Sequence, residues 1–250
     1  MNDQEEILIS SKGFRNRSII AFILFAVAIV ASILIWKWIH HQPKIADAPK
    51  PLRKVLSLDE KVFSKTLSNT HLAKTYPVSK AVKHVRVNGD IGMKSALDSN
   101  WKLHLVENTG DTLLITLADI KSLPKTDLVF DFKCIEGWSQ ITHWTGVKFS
   151  DFARKYNLNA QTQMNFVGLS TPDKEYYVGI DMASMMHPQT LLAYEMNGKP
   201  LPLNQGYPLR LIIPVKYGIK SIKRIGTIFF SNTPPPDYWY ERGYDYYSGL

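Results

Sequence analysis

Cysteine is almost absent from this chain, because Cys134 is the only one among 250 residues. A single cysteine excludes an internal disulfide, so packing and hydrogen bonds must hold the fold. It also excludes a cysteine-ligated iron–sulfur cluster, and the seven scattered histidines give no paired spacing for zinc. The chain has no Walker loop and no dinucleotide fingerprint, so ordinary nucleotide cofactors are not indicated.

A dense run of basic residues is also missing, although the formal net charge is +8. The lysines and arginines are spread along the sequence, so nucleic acid is not expected as a partner. The composition is that of a globular protein, with 45% hydrophobic residues, and the chain is long enough to bury a sizeable core.

No charged residue occurs between Ser18 and Trp36, and this run is long enough to cross a bilayer as a helix. Trp36 and Trp38 stand where an interfacial aromatic belt belongs, which favours an uncleaved anchor over a signal peptide. Positive charges on both sides leave its orientation open. We therefore predict a tail over residues 1–17, a single membrane span over 18–39, an extended linker over 40–56, and one domain over 57–250.

Strands and short helices alternate irregularly after the linker, which predicts a sheet-rich α+β fold. The sequence SLDE at Ser57 has capping-box spacing and predicts a helix that buries Leu58, Val62 and Phe63. Strands are predicted around 101–107, 111–116, 126–134, 209–215 and 225–231, with a short helix before Pro124. A further helix is predicted after an N-cap at Ser150, burying Phe149, Phe152 and Tyr156.

Cys134 ends one of these strands, and three roles are open to it. It can be a small buried hydrophobe, the nucleophile of a Cys/His hydrolase, or one bond to a metal whose other ligands come from a cofactor. No histidine can be assigned as its base from sequence, although His143 lies nearby. Because Glu136 and Gly137 force a turn, the thiol is expected to face a cavity.

A second informative stretch runs from Tyr194 to Gly226 and combines loop glycines with basic side chains. Arg210, Lys220, Lys223 and Arg224, with the hydroxyl of Ser221, could hold a phosphate or could form a solvated basic hairpin. The aromatic C-terminal tail is expected to pack over the domain surface.

Three motifs in order give the chain a resemblance to known proteins: CIEGWSQITHWTG, DMASMMHPQTLLAYEMNGKPLP and GYPLRLIIPVKYGIKSIKRIG. Together they resemble the molybdopterin-dependent oxidoreductases of the sulfite oxidase superfamily, and among these the catalytic subunits of protein-methionine-sulfoxide reductase. The resemblance implies a mononuclear molybdenum cofactor with one pterin, to which Cys134 supplies the protein's only metal bond. Trp138 and Trp144 then belong to the surroundings of that ligand.

The resemblance also assigns the pterin contacts by position. It implies cofactor binding by Asn88, Ile91, Gly92, Thr171, Gln205, Arg210, Ser221, Ile222 and Lys223. Gln205 departs from the histidine or asparagine usual in the family, and a twin-arginine export signal is missing because Asn16 separates Arg15 from Arg17.

The implied activity is oxygen-atom transfer, with reduction of sulfoxides or related S- and N-oxides ahead of sulfite oxidation. A binding module of the same fold without a cofactor is a further alternative. Electrons would be exchanged with a separate partner, for which a membrane haem protein is the natural candidate. The family implies a periplasmic catalytic domain held at the cell membrane.

Overall fold

The computed structural model describes residues 11–68, 70–94, 98–107 and 110–250. The predicted tail, residues 1–17, falls partly outside this range, because residues 1–10 are not described. Helix α1, Ser11–His41, contains the predicted span and is long and apolar enough to cross a membrane. Its side chains are exposed or half-buried.

The segment after α1 differs from the prediction of an extended linker. Strands β1, Lys44–Ile45, and β2, Ala48–Pro49, form a small hairpin that leads directly into helix α2, Lys50–Thr66. The prolines that suggested an extended chain instead border the hairpin and occupy the first turn of α2, where the missing N–H costs nothing. The prediction of an extended linker is therefore wrong, whereas the predicted domain limits stay predictions.

The capping box predicted at Ser57 is also wrong, because Ser57 lies in the middle of α2 and donates its hydroxyl proton to Arg53 O at 2.9 Å. Leu58, Val62 and Phe63 are exposed rather than buried. The residue of α2 that is buried is Arg53. Spacing alone could not distinguish these faces, because the neighbours of α2 come from the far end of the sequence.

The remaining elements build two five-stranded sheets. The strands are β3, Leu103–Val106; β4, Thr112–Ile115; β5, Thr126–Lys133; β6, Ser139–Lys148; β7, Phe166–Ser170; β8, Tyr177–Asp181; β9, Leu191–Met196; β10, Lys199–Pro200; β11, Arg210–Ile212; and β12, Thr227–Ser231. The helices are α3, Leu117–Lys121; α4, Phe149–Lys155; and α5, Met182–Met185. The strands and the helix before Pro124 confirm the predicted α+β class.

The first sheet has the order β10-β9-β6-β5, with β11 pairing along β9, and all its pairs are antiparallel. The second has the order β4-β3-β12-β7-β8 and is mixed, because β12 runs parallel to β3. Alternate residues of β9 point to opposite faces, so Leu192 enters the main core while Leu191 and Ala193 enter a smaller cluster. The first sheet is therefore covered on both faces.

Helix α4 fills the main core with two phenylalanines, as predicted. Phe149 and Phe152 are fully buried, and the Tyr156 ring lies 4.9 Å from that of Phe152. The predicted N-cap is wrong, however, because Ser150 lies inside the helix and Lys148 occupies the cap position without a side-chain hydrogen bond. Burial of the two rings, rather than a cap, fixes where this helix begins.

Candidate active site

A cavity of about 310 Å³ lies beside the smaller cluster of the first sheet. Its wall contains Phe132 from β5, Trp144 from β6 and Arg210 from β11, together with residues from six other segments of the chain. Because β5 and β6 are paired in register, their ends bring the turn that holds Cys134 to the edge of this cavity. The sheet is thus the scaffold, and the loops supply most of the polar groups.

Cys134 is nearly buried, at 6% exposure, and lines the cavity. Its N–H donates to Trp138 O at 2.9 Å, and Gly137 in the same turn has φ +88°, a conformation that favours glycine. The amide of Asn88 donates to Cys134 Sγ at 3.7 Å. The predicted turn and the predicted orientation of the thiol are both confirmed, since this tight turn presents sulfur to the cavity.

His143 does not provide a base for this thiol. It follows Thr142 and precedes Trp144 on β6, and Trp144 points to the cavity, so His143 points to the opposite face. There its Nε2 forms a hydrogen bond with Asp127 Oδ1 at 2.9 Å. The arrangement opposes a Cys/His hydrolase built from these two residues.

Arg210 forms the inner wall and is almost completely buried. Its Nη1 donates to Gln205 O and Gln205 Oε1, both at 3.0 Å, and its guanidinium lies 4.5 Å above the Trp144 ring. Burial lowers the pKa of Arg210 to about 9, which still leaves it cationic at neutral pH. Gln205 therefore orients Arg210, and its Nε2 also donates to the carbonyls of Val85 and Arg86 at 3.3 Å.

Two buried polar atoms at this wall lack partners among the residues that the structure describes: Nε of Arg210 and Oγ of Ser221. Leaving a buried donor unsatisfied costs about 1–3 kcal/mol, more for a charged group. Both residues line the cavity, so a ligand with hydrogen-bond acceptors would satisfy them. A phosphorylated pterin has such acceptors, and the residues present fit that group.

Lys223 closes the same region and is half-buried. Its Nζ donates to Asn88 O and Gly89 O at 2.8 Å and to Asn204 O at 3.0 Å, which holds the 88–89 loop against the cavity. Burial, with the neighbouring Arg210 charge, lowers the pKa of Lys223 to about 7. An anion bound nearby would restore the ammonium form.

The predicted site residues thus divide into two groups. Cys134, Asn88, Ile91, Gln205, Arg210, Ser221 and Lys223 all line the cavity. Gly92, Thr171 and Ile222 lie behind it: a Cβ on Gly92 would stand 2.5 Å from Thr171 Cγ2, and Ile222 is part of the main core. The Thr171 hydroxyl donates to Asp173 Oδ1 at 2.6 Å within a turn. Their predicted cofactor contacts stay predictions.

The sequence did not predict an aromatic part of the cavity wall whose residues are far from Cys134 along the chain. Tyr176, Trp239 and Tyr244 line the cavity, and Tyr176 donates its hydroxyl proton to Ile219 O. Burial raises the pKa of Tyr176, so it remains a neutral donor. Packing of the C-terminal tail is confirmed by the burial of Tyr246 and Tyr247. No motif distinguished Trp239 and Tyr244 from the other aromatic residues of the tail.

Residues 88–239 match the protein-family model described as "Oxidoreductase molybdopterin binding domain", and this match decides the family. The chain belongs to this family. It is an oxidoreductase, and its cofactor is a molybdopterin. The alternative of a cofactor-free binding module is therefore wrong.

Two relatives support the same family. The chain is 35% identical over 181 residues to a protein of Azospira oryzae named provisionally as the protein-methionine-sulfoxide reductase subunit YedZ1, covering 71% of this chain and 68% of that one. It is 34% identical over 134 residues to the protein-methionine-sulfoxide reductase catalytic subunit MsrP of Xanthomonas axonopodis pv. citri, covering 49% and 42%. The chain thus spans about two thirds of the first relative and less than half of the second.

Among solved structures, the sulfane dehydrogenase SoxCD of Paracoccus pantotrophus aligns with a TM-score of 0.49 at 18% identity, covering 56% of this chain and 40% of that chain.

Proposed function

We propose that this protein reduces sulfoxides, methionine sulfoxide first among them, as a membrane-anchored enzyme. One observation carries the proposal: a single cavity joins the thiol of Cys134 to a buried, incompletely satisfied Arg210. The names of the two relatives supply the substrate class. Sulfite oxidation stays the runner-up reaction, since the same cofactor family includes it.

Each polar residue of the cavity has a proposed task toward the cofactor. Cys134 would supply the thiolate that binds molybdenum, because a thiolate is a soft ligand suited to redox metals. Arg210, Ser221 and Lys223 would hold the pterin phosphate by charge-assisted hydrogen bonds. Asn88, through its amide contact with Sγ, would tune the electron density on that sulfur. When bound, the molybdenum cofactor supplies two-electron oxygen-atom transfer.

The cavity mouth offers a site for the substrate. Trp138 and Trp239 provide aromatic surfaces, which suit the methyl and sulfur groups of a methionine side chain. Arg86 lies 4.9 Å above the Trp138 ring and offers a donor to a sulfoxide oxygen. The overall reaction consumes two electrons and two protons per sulfoxide, and yields a thioether and water.

The electrons would come from a separate partner, which we propose to be a membrane haem protein. We further propose that α1 anchors the chain in the cell membrane, with the catalytic domain on the periplasmic side. Anchoring would raise the effective concentration of a membrane donor at the cavity. The apolar length of α1 supports the anchor.

Metal content and turnover test the proposal together. We expect about one molybdenum per chain when the protein is made in a host that synthesises the pterin, and loss of the metal in Cys134→Ser. With a reduced viologen as donor, methionine sulfoxide should be consumed and methionine formed, while the variant is inactive. Met164→Leu, a change away from the cavity, is the matched control and should retain metal and turnover.

Two results would contradict the proposal. A metal-free protein from such a host would remove its chemical basis. Oxidation of sulfite without any reduction of methionine sulfoxide would replace the proposed reaction by the runner-up.

A further inference from the structure

Helix α2 presents an apolar stripe to solvent. Val55, Leu58 and Val62 are three and four residues apart, so they share one side of the helix, and they are 56%, 59% and 52% exposed. Exposed apolar stripes of this kind mark contact surfaces. The fold itself exposes this stripe, because the helix buries a charged residue on its opposite side.

That other side is fixed by Arg53, which is 5% exposed. Arg53 donates to Tyr244 O at 2.7 Å and to Ala46 O at 2.6 Å, and its guanidinium lies 4.2 Å above the Tyr240 ring. Rotation of α2 to bury the apolar stripe would turn Arg53 out to solvent and leave the carbonyls of Tyr244 and Ala46 without this donor. The stripe is therefore held outward.

A row of lysines borders the apolar stripe. Lys50, Lys54, Lys61 and Lys65 follow one another at intervals of four, seven and four residues, and all four are exposed. Lysines beside an apolar stripe are typical of helices that lie in the membrane interface, where the charges meet anionic headgroups. The charge complementarity therefore points to anionic lipid.

The position of α2 supports the same conclusion. It begins nine residues after α1 ends, and Lys50 N donates to Pro43 O at 2.9 Å across the intervening hairpin. Trp36 and Trp38, near the end of α1, are suited to the bilayer interface. A helix tethered this closely to a membrane span is held near the lipid surface.

We propose that the face of α2 formed by Val55, Leu58, Val62 and the four lysines binds the anionic surface of the membrane that α1 spans. The inference rests on the proposed anchoring of α1. Because Arg53 joins the opposite side of α2 to the segment that carries Trp239 and Tyr244, bilayer contact fixes the orientation of the cavity relative to the membrane.

Depth-dependent fluorescence quenching in the full chain tests this proposal. Three variants each carry one genetically encoded fluorescent amino acid, in place of Val62, of Val30 in α1, or of the exposed Leu114 on β4. Encoding the fluorophore avoids labelling Cys134. The protein is reconstituted in phosphatidylcholine vesicles with about a third phosphatidylglycerol, carrying lipids with nitroxides near the headgroup or deep in the chains. We expect shallow nitroxides to quench position 62 about twofold more than position 114.

The lysine row is tested by changing Lys50, Lys54, Lys61 and Lys65 to glutamine. The docking equilibrium should weaken by about fivefold for each lysine removed, so quenching at position 62 should fall toward that at position 114. The control set changes four exposed lysines elsewhere to glutamine: Lys102, Lys155, Lys174 and Lys199. It removes the same amount of charge and should leave quenching at position 62 unchanged.

The outcomes separate the two proposals. If deep nitroxides quench position 30 while position 62 resembles position 114, the docking of α2 is overturned and the anchor stands. If neither position is quenched, both are overturned. Two results would overturn the role of anionic lipid. One is equal quenching at position 62 in the two sets of glutamine variants, and the other is equal quenching there in vesicles with and without phosphatidylglycerol.

Discussion

Arg210 on β11 and Lys220 in the segment after that strand are both buried cations, but their surroundings differ. Lys220 forms an ion pair with Asp237 and also donates to Gly179 O at 3.0 Å. Arg210 donates only to carbonyl and amide oxygens, and among the described residues its Nε finds no acceptor. A complete ion pair contributes to the fold, whereas an incompletely satisfied cation beside a cavity is available to an anionic ligand.

The largest expected effect on stability is at the complete pair. Lys220→Met leaves the buried Asp237 carboxylate without its cation, which should lower the free energy of unfolding by about 3–5 kcal/mol. Chemical denaturation of the purified protein measures the loss. The double variant Lys220→Met, Asp237→Asn removes both charges and should recover part of it. If the double variant is no more stable than the single one, the charge explanation is wrong.

A smaller effect is expected when Arg210 is given the partner that it lacks. Gln205→Glu places a carboxylate where Gln205 Oε1 now accepts from Arg210, so Arg210 should resemble Lys220. The free energy of unfolding of the cofactor-free protein should change by less than about 1 kcal/mol, because the second carboxylate oxygen would face the carbonyls of Val85 and Arg86 to which Gln205 Nε2 now donates. Cofactor retention after dialysis should fall, since the cation is already neutralised. Denaturation and molybdenum analysis report the two effects separately.

Gln205→Asn is the matched control for that variant, because it keeps the amide without adding charge. It should retain the cofactor better than the glutamate variant does. Equal loss of cofactor in both variants would show that length and packing at position 205, rather than charge, control retention.

The smallest effect is a pH dependence from Lys223. Its pKa is depressed to about 7 in the folded, cofactor-free protein and is about 10.4 in an unfolded chain, so the folded state prefers the neutral amine. The free energy of unfolding should therefore rise as the pH increases from about 7 toward 10, by an amount that solvent screening of this half-buried amine reduces to the order of 1 kcal/mol. Lys223→Met should flatten this rise, measured by denaturation at several pH values.

Lys94→Met is the control, since Lys94 is an exposed lysine that does not line the cavity. A slope that persists in Lys223→Met and matches that of the control would assign the pH dependence to other groups, such as the buried Lys216.

The site was predictable where one short motif contains the information. Cys134 and its turn follow from the strand before them and from Gly137, and the alternation along β6 sends Trp144 to the cavity. Gly92 and Thr171 pack tightly against each other behind the wall, so their predicted cofactor contacts stay predictions. Trp239 and Tyr244 could not be predicted, because only tertiary packing brings the C-terminal segment to the cavity.

The fold shows the same division. Strand pairs and the two phenylalanines of α4 follow from local periodicity. The orientation of α2 does not, because a long-range contact between Arg53 and residues 240–244 outweighs its amphipathic pattern.

The bond from Arg53 to Tyr244 also has a consequence for biogenesis, because it joins residues 191 positions apart. At about 5–20 residues per second, a ribosome needs roughly 10–40 s to make the intervening chain. Until then Arg53 lacks the carbonyl of Tyr244, and the cavity lacks Trp239 and Tyr244. The pocket can therefore mature only after translation has passed Tyr244, so cofactor loading would discriminate chains that contain this segment from chains truncated before it.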